Sequence, residues 1–355
     1  MPETNKNSSF MKAAVLYETG EPLIVEDGIK IPDLNPGQIL VRVAYSGICR
    51  SQLMEARGHR GPDPYLPHLL GHEGSGEVID VAQDVKKVVK GDHVVLTWIK
   101  GDGAECAGAK YRKGNTIINS GAVTTFNNFA VVSENRCVKM PEGMPMDLAP
   151  LLGCAILTGA GIVFNTIQPK PNNVLSVFGL GGIGLSAIMA AKALECDNII
   201  AVDIEDHKLA IAGELGAAHL INNRDGGALD EIRKITKNEG VDFSIEATGL
   251  VSIAESAFQA VKNNGGLCII AGHPAHGEAV RINPFDLIKG KRIQGSWGGD
   301  SKPDRDIPLM GKFFLEGKLP LEKLISHRFS LENINQALDD LERGSLNRAL
   351  IEMKH

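Results

Sequence analysis

No run of apolar residues in this chain approaches the ~18 that a membrane-spanning helix needs, so no membrane partner is expected. The opening MPETNKNSSF is polar and has no hydrophobic core segment, so it does not read as a secretory signal and a cytoplasmic protein is expected. Lysine and arginine form no block, and the net charge is −6, which argues against nucleic acid as a partner. Cysteine is sparse: six residues, at 49, 106, 137, 154, 196 and 268, with no CxxC pair. Without an export signal these are expected as reduced thiols. Cys137, Cys196 and Cys268 sit in apolar or strand-like words and read as small buried hydrophobes. Aromatics are scarce at 5%, whereas glycine is abundant at 40 of 355 residues. With 43% hydrophobic and 23% charged residues, this is the profile of a soluble α/β protein long enough for two domains.

Residues 11 to about 155 read as short strands separated by Gly/Pro turns, among them 39–48, 74–81, 92–98 and 127–134. Such spacing predicts a small β-barrel or sandwich. Near residue 156 the rhythm changes. The continuous apolar run 174–180 suits a strand buried on both faces, and GIGLSAIMAAKALE follows with helical spacing. Strand and helix then alternate through 198–204, 226–239, VDFSIEATG and 267–272, which predicts a doubly wound parallel sheet. The remainder, with helices near 304–316 and 332–342 and a last strand at 348–353, is too short for a domain and is expected to return to the first one. The expected boundaries are therefore 1–157 (1–10 a loose extension), 158–297 and 298–355.

The turn Gly179-Leu180-Gly181-Gly182-Ile183-Gly184 follows the buried strand and opens the helix, whose N-terminal amides and dipole suit a pyrophosphate. Gly179 permits the tight turn, Gly181 lets phosphates approach the backbone, and Gly184 allows close helix–strand packing. Asp203 ends the next strand 19 residues beyond Gly184, near the ~20 at which a carboxylate accepts from ribose hydroxyls and repels a 2′-phosphate. NAD is favoured over NADP.

Upstream stand Cys49, the adjacent His72 and Glu73, and Cys154. Two thiols and an imidazole are ligands for tetrahedral zinc, and three protein ligands leave a fourth position open for water or substrate. A Lewis acid beside a hydride acceptor is the equipment of an alcohol-oxidising enzyme.

The words SGICRSQ at 46–52, LLGHEGSGEV at 69–78, KGDHV at 90–94, LLGCAILTGAG at 151–161 and VFGLGGIG at 177–184 resemble the zinc-containing medium-chain alcohol dehydrogenases, over nearly the whole chain. The resemblance implies a GroES-like β-barrel catalytic domain joined to a Rossmann domain, with the active cleft between them and closure around NAD. It implies that Cys49, His72 and Cys154 ligate one catalytic zinc, with Glu73 beside it and able to enter its shell. Ser51 then matches the hydroxyl that takes the alcohol proton. Thr158 lies near the nicotinamide and Ile183 backs its ring. Arg50 and Arg348 match pyrophosphate contacts, Asp203 and Lys208 adenosine-ribose contacts. A homodimer or homotetramer is implied.

Three departures from the family stand out. The lobe that carries four structural-zinc cysteines in many members has only Cys106 here, so no structural zinc is expected. Gln52 stands where an Asp usually orients the histidine ligand, and a neutral amide raises imidazole basicity less than a carboxylate. Met54 replaces a histidine that often ends the proton relay, leaving the ribose hydroxyl and water as the route, with His59 and His68 candidates by proximity. The expected reaction interconverts an alcohol with its aldehyde or ketone. Simple or aromatic primary alcohols come first, because Cys154 stands where polyol dehydrogenases often carry an acid. A secondary alcohol of a sugar or cyclitol, a zinc-free quinone or enone reductase, and a non-catalytic NAD-binding protein are the alternatives.

Overall fold

Residues 9–355 are described by the computed structural model; residues 1–8, most of the expected loose extension, lie outside the described residues. The chain divides into two units. The first comprises residues up to Cys154 with Lys302–Lys312 and Ile325–His355; the second comprises Ala155–Ser301 with Phe313–Leu324. The division thus falls after Cys154 rather than 157, and the C-terminal return starts at Lys302 rather than 298. The return is also interrupted. Phe313–Leu324 joins the second unit, where the Phe313 ring stacks on Phe164 at 5.2 Å and Lys323 pairs with Glu214 at 3.1 Å.

In the first unit, strands Phe10–Leu16, Ile24–Lys30, Lys110–Lys113, Thr116–Asn119 and His68–Leu69 form a closed barrel. A second sheet of seven strands runs in the order Cys137–Lys139, His93–Thr97, Glu73–Val81, Gln38–Gly47, Arg348–Glu352, Ile325–Ser330, with Phe129–Ser133 paired to Gln38–Gly47. Gln38–Gly47 lies inside this sheet, which is why its apolar residues run almost continuously and Ile39, Val41 and Val43 are fully buried with Leu96, Ala349 and Ile351. The last strand pairs antiparallel with this central strand, Leu350 opposite Gly47. That pairing carries Arg348 into the interior.

The lobe around Cys106 is held by oxygen and nitrogen atoms of the protein. The Glu134 carboxylate accepts from the amides of Lys86 (2.7 Å), Lys87 (3.0 Å) and Ala104 (2.8 Å). Asp304 accepts from the Asp102 amide at 2.7 Å and pairs with Lys87, and Ser133 accepts from the Cys106 amide at 2.9 Å. Burial works against ionisation of Glu134, but the three amides outweigh it and hold its pKa below the usual carboxylate value.

The second unit is a six-stranded parallel sheet in the order His219–Asn222, Asn198–Asp203, Val174–Phe178, Phe243–Glu246, Leu267–Ile270, Arg292–Gly295. The order reverses between Val174–Phe178 and Phe243–Glu246, the point where doubly wound sheets bind dinucleotides. Phe178, Ile200, Val202, Phe258 and Cys268 form its core. The sixth strand, RIQG, has too little apolar character to announce itself in sequence. The unit opens with a fully buried helix, Ala155–Gly161, that widens into a π-helical turn at Ile162–Ile167. Among the described residues, no helix is long and apolar enough to cross a membrane.

Candidate metal centre and dinucleotide site

Cys49 is the N-cap of the helix Arg50–Ala56, and its extended backbone (φ −114°, ψ 147°) turns its thiol off the helix axis. His72 immediately precedes the strand Glu73–Val81, and Cys154 follows the 3₁₀ turn Ala149–Gly153. These three elements bring one ligand atom each of Cys49, His72, Glu73 and Cys154 within 4.8 Å of one another. The two sulfurs are 3.9 Å apart, and His72 Nε2 lies 3.3 Å from Cys154 Sγ. A tetrahedral zinc with ordinary Zn–S and Zn–N bonds has S···S and S···N edges of about 3.8 and about 3.6 Å. The donor set fits the ion in number, chemistry and spacing, and 3.9 Å excludes a disulfide.

The four remaining cysteines do not join this cluster. Burial pushes Cys137 up to about 12 and Cys196 up to about 11, and raises Cys268 as well. Cys49 moves the other way: the hydrogen bond from Cys154 stabilises its thiolate, burial opposes this, and His72 and Arg348 assist. The shared proton in turn raises Cys154. Such a pair is poised to give up its proton to a cation. Cys106 is half-buried and its thiol donates to the Pro36 carbonyl at 3.1 Å.

Behind the ligands, Gln52 is buried, with its amide nitrogen 2.5 Å from His72 Nδ1 and its Oε1 without a partner. Turning that amide over puts Oε1 on an Nδ1–H, the tautomer that leaves Nε2 its lone pair for a metal. A neutral amide can serve either state of the ring. Glu73 is fully buried, and Gly47 makes room for it, since a Cβ at 47 would lie 2.6 Å from the Glu73 carboxyl carbon. The Arg348 guanidinium bonds Glu73 Oε1, leaving Oε2 unpartnered. Burial raises the Glu73 pKa, and Arg348 counters this. Ser51 Oγ donates to Cys49 Sγ at 3.4 Å, so its hydroxyl is at the cluster. Arg50, next to it, is exposed.

Two features of the first unit escaped the sequence reading. The Trp98 ring lies 6.3 Å from the His72 ring, tilted by 58°. It follows the plain hydrophobic strand His93–Thr97, and nothing in the local sequence indicates the neighbour. Glu55, Asp63 and His68 form a second cluster. There the His68 nitrogens face the Leu69 carbonyl at 3.0 Å and Asp63 at 2.7 Å, so both are already engaged.

In the second unit, Gly179 has φ +89°, and a Cβ there would lie 2.5 Å from Thr248 Cγ2. A Cβ on Gly184 would lie 2.0 Å from the Gly179 carbonyl oxygen, whereas the space around Gly181 is open to 4 Å. Gly181 is the N-cap of the helix Gly182–Ala193, which has no side-chain cap, and Ile183 sits in its first turn. The Asp203 carboxylate bridges the turn to its own strand, accepting from the amides of Leu180 (2.6 Å), Ile204 (2.8 Å) and Glu205 (3.0 Å). Lys208 is half-buried one turn along the next helix. Thr158 lies in the buried helix Ala155–Gly161, whose Gly159 meets the Ile183 carbonyl. Arg348, matched to a pyrophosphate contact in sequence, belongs to the first unit; its guanidinium bonds Glu73 and leaves Nε unpartnered.

The family description "Alcohol dehydrogenase GroES-like domain" matches residues 35–142, and "Zinc-binding dehydrogenase" matches 182–316. An S-(hydroxymethyl)glutathione dehydrogenase of Synechocystis sp. is 30% identical over 367 residues, covering 96% of this chain and 99% of its own. The chain belongs to the zinc-containing medium-chain alcohol dehydrogenases. Two solved members of similar fold are an alcohol dehydrogenase zinc-binding domain protein from Burkholderia ambifaria (33% identity, TM-score 0.89, 98% and 99% of the two chains) and benzyl alcohol dehydrogenase from Acinetobacter calcoaceticus (31%, 0.88, 97% and 99%). A medium-chain alcohol dehydrogenase uses zinc and NAD to interconvert alcohols with aldehydes or ketones, and the two sites described above carry donor sets suited to each.

Proposed function

We propose that this chain oxidises simple or aromatic primary alcohols, and reduces the matching aldehydes, with one catalytic zinc and NAD per chain and no structural zinc. The convergence of Cys49, His72 and Cys154 within 4.8 Å carries the reading. As two thiolates and a neutral imidazole, these ligands would balance the charge of a divalent cation. Zinc supplies a Lewis acid for the substrate oxygen, and NAD supplies the hydride acceptor. The Ser51 hydroxyl takes the proton at Oγ, Glu73 stays with Arg348 beside the ligands, and Gln52 steadies the imidazole. Gly179, Gly181, Gly182 and Gly184 would hold the pyrophosphate, Ile183 would back the nicotinamide ring, and Asp203 and Lys208 would hold the adenosine ribose. Thr158 adjoins the nicotinamide.

The indole of Trp98, so close to His72, supports an aromatic or small substrate over a polyol, as does Cys154 in place of an acid. The benzyl alcohol dehydrogenase, at 31% identity, agrees with this preference. The test is a panel of benzyl alcohol, ethanol, a sugar alcohol and S-(hydroxymethyl)glutathione, followed by NADH absorbance, with zinc counted per chain. Benzyl alcohol is expected to lead in kcat/KM, and Trp98→Ala to lower its value by about tenfold, the size of one aromatic contact. A sugar alcohol leading the panel, or Trp98→Ala without effect, would overturn the preference.

The strand Arg292–Gly295 ends its sheet, and nearby Phe285, Leu287, Ile288 and Trp297 are exposed, the last two at 77% each. An open sheet edge rimmed by large apolar residues supports a homodimer formed through that edge, with a homotetramer as the larger alternative. Light scattering should give at least twice the chain mass, and Ile293→Pro should reduce it to one chain. Six free cysteines agree with a cytoplasmic location.

A further inference from the structure

Glu246 is fully buried, and half of its carboxylate has nothing to bind. It ends the strand Phe243–Glu246 and lies opposite Phe178, whose strand runs into the glycine turn, so it sits where the strand order reverses. Oε1 is saturated: it accepts from the Thr248 amide at 2.6 Å, the Thr248 hydroxyl at 2.5 Å and the Gly249 amide at 2.8 Å. Oε2 is buried without a hydrogen-bond partner, and Glu246 has no ion pair among the described residues. Burial pushes its pKa up, and the hydrogen bonds of Thr248 and Gly249 pull against that, helped by the nearby Gly272 amide, which itself donates to the Glu246 main-chain carbonyl at 3.0 Å. A buried carboxylate oxygen lacking a donor is costly, and retaining it points to a donor that arrives with a ligand.

The surroundings say which ligand. Thr248, fixed by Oε1, is the residue whose methyl lies against Gly179 of the phosphate turn. A Cβ on Gly272 would lie 2.1 Å from the Gly249 amide nitrogen and 2.7 Å from Oε2, so a glycine is required where the 247–250 loop and Gly272 pack over the carboxylate. Doubly wound sheets hold a dinucleotide as two mononucleotide halves. The half built from 174–222 carries Asp203, the adenosine-ribose carboxylate. Glu246 ends the first strand of the other half, which receives the nicotinamide nucleoside.

We infer that Glu246 is a binding residue of the dinucleotide site, its Oε1 fixing the 247–250 loop and its Oε2 accepting a hydroxyl of the nicotinamide-side ribose. This rests on the dinucleotide reading of the second unit. Glu246→Gln keeps the shape and puts an NH₂ donor where the acceptor was.

Calorimetric titration of the purified enzyme with NADH, ADP-ribose and AMP tests it. Both NADH and ADP-ribose carry the second ribose, and AMP does not. The Gln variant is expected to bind the first two about tenfold more weakly and AMP as the wild type does. Glu246→Asp, which keeps the charge but withdraws it by a methylene, should show the same split. Unchanged NADH and ADP-ribose binding in both variants overturns the inference, and so does an equal loss of AMP, which would mark a purely structural role. A wild-type protein that binds none of the three overturns the dinucleotide reading itself.

Discussion

Cys154→Ala and Cys49→Ser proteins should purify folded, with less than one zinc per chain and alcohol oxidation reduced on the order of 10³-fold or more. The size follows from what leaves with the metal. Lewis-acid stabilisation of developing charge is worth several kcal/mol, and each 1.36 kcal/mol is about tenfold in rate. The fold should survive because both thiols belong to a site with its own proton-sharing arrangement, 3.9 Å apart, and not to a disulfide or to the main core. NADH binding should be preserved, since every glycine-turn residue belongs to the second unit. Metal analysis and NADH titration on the same preparation separate the two properties. A Cys154→Ala protein with full zinc and full turnover would sink the metal assignment.

Arg348→Met is expected to cost about 3–5 kcal/mol of stability, read as a lower urea midpoint for the first unit. Arg348 is 5% exposed and Glu73 is fully buried. Removing the guanidinium strands a buried carboxylate beside two sulfurs, and burial already raises the pKa of Glu73 with Arg348 present. The double variant Glu73→Gln/Arg348→Met should recover much of the loss, because neither charge then remains without its partner. The same proteins test the alternative role of Arg348. A residue serving only the pyrophosphate would weaken NADH binding and leave the urea midpoint in place.

The glycine turn was legible because its chemistry is local. A tight turn, an open helix start and a carboxylate one strand later are all consequences of short-range spacing, and the structure shows Gly179 at φ +89° and Asp203 bonded to the Leu180 amide. The alternation of buried strand and helix was legible for the same reason. Less was visible where the local pattern is weak. RIQG at 292–295 is a strand only because Leu267–Ile270 offers it a free edge. Phe313–Leu324 looked like part of the returning tail, and its assignment to the second unit depends on contacts such as Phe164. Cys49, His72 and Cys154 stood out together only through the surrounding family words; as isolated side chains each is commonplace.

By itself the sequence determined the order of elements, the two-unit plan, the glycine turn and the family. Those properties follow from hydrophobic period, backbone freedom at glycine and motif spacing, all of which act over a few residues. Tertiary structure alone decided what each polar group meets. Arg348 finds Glu73 across 275 residues of chain, Trp98 comes beside His72, and Glu246 keeps one oxygen empty at the strand reversal. Pairings of this kind are products of sheet register and burial, and a residue's desolvation is set by neighbours that its own stretch of chain does not contain.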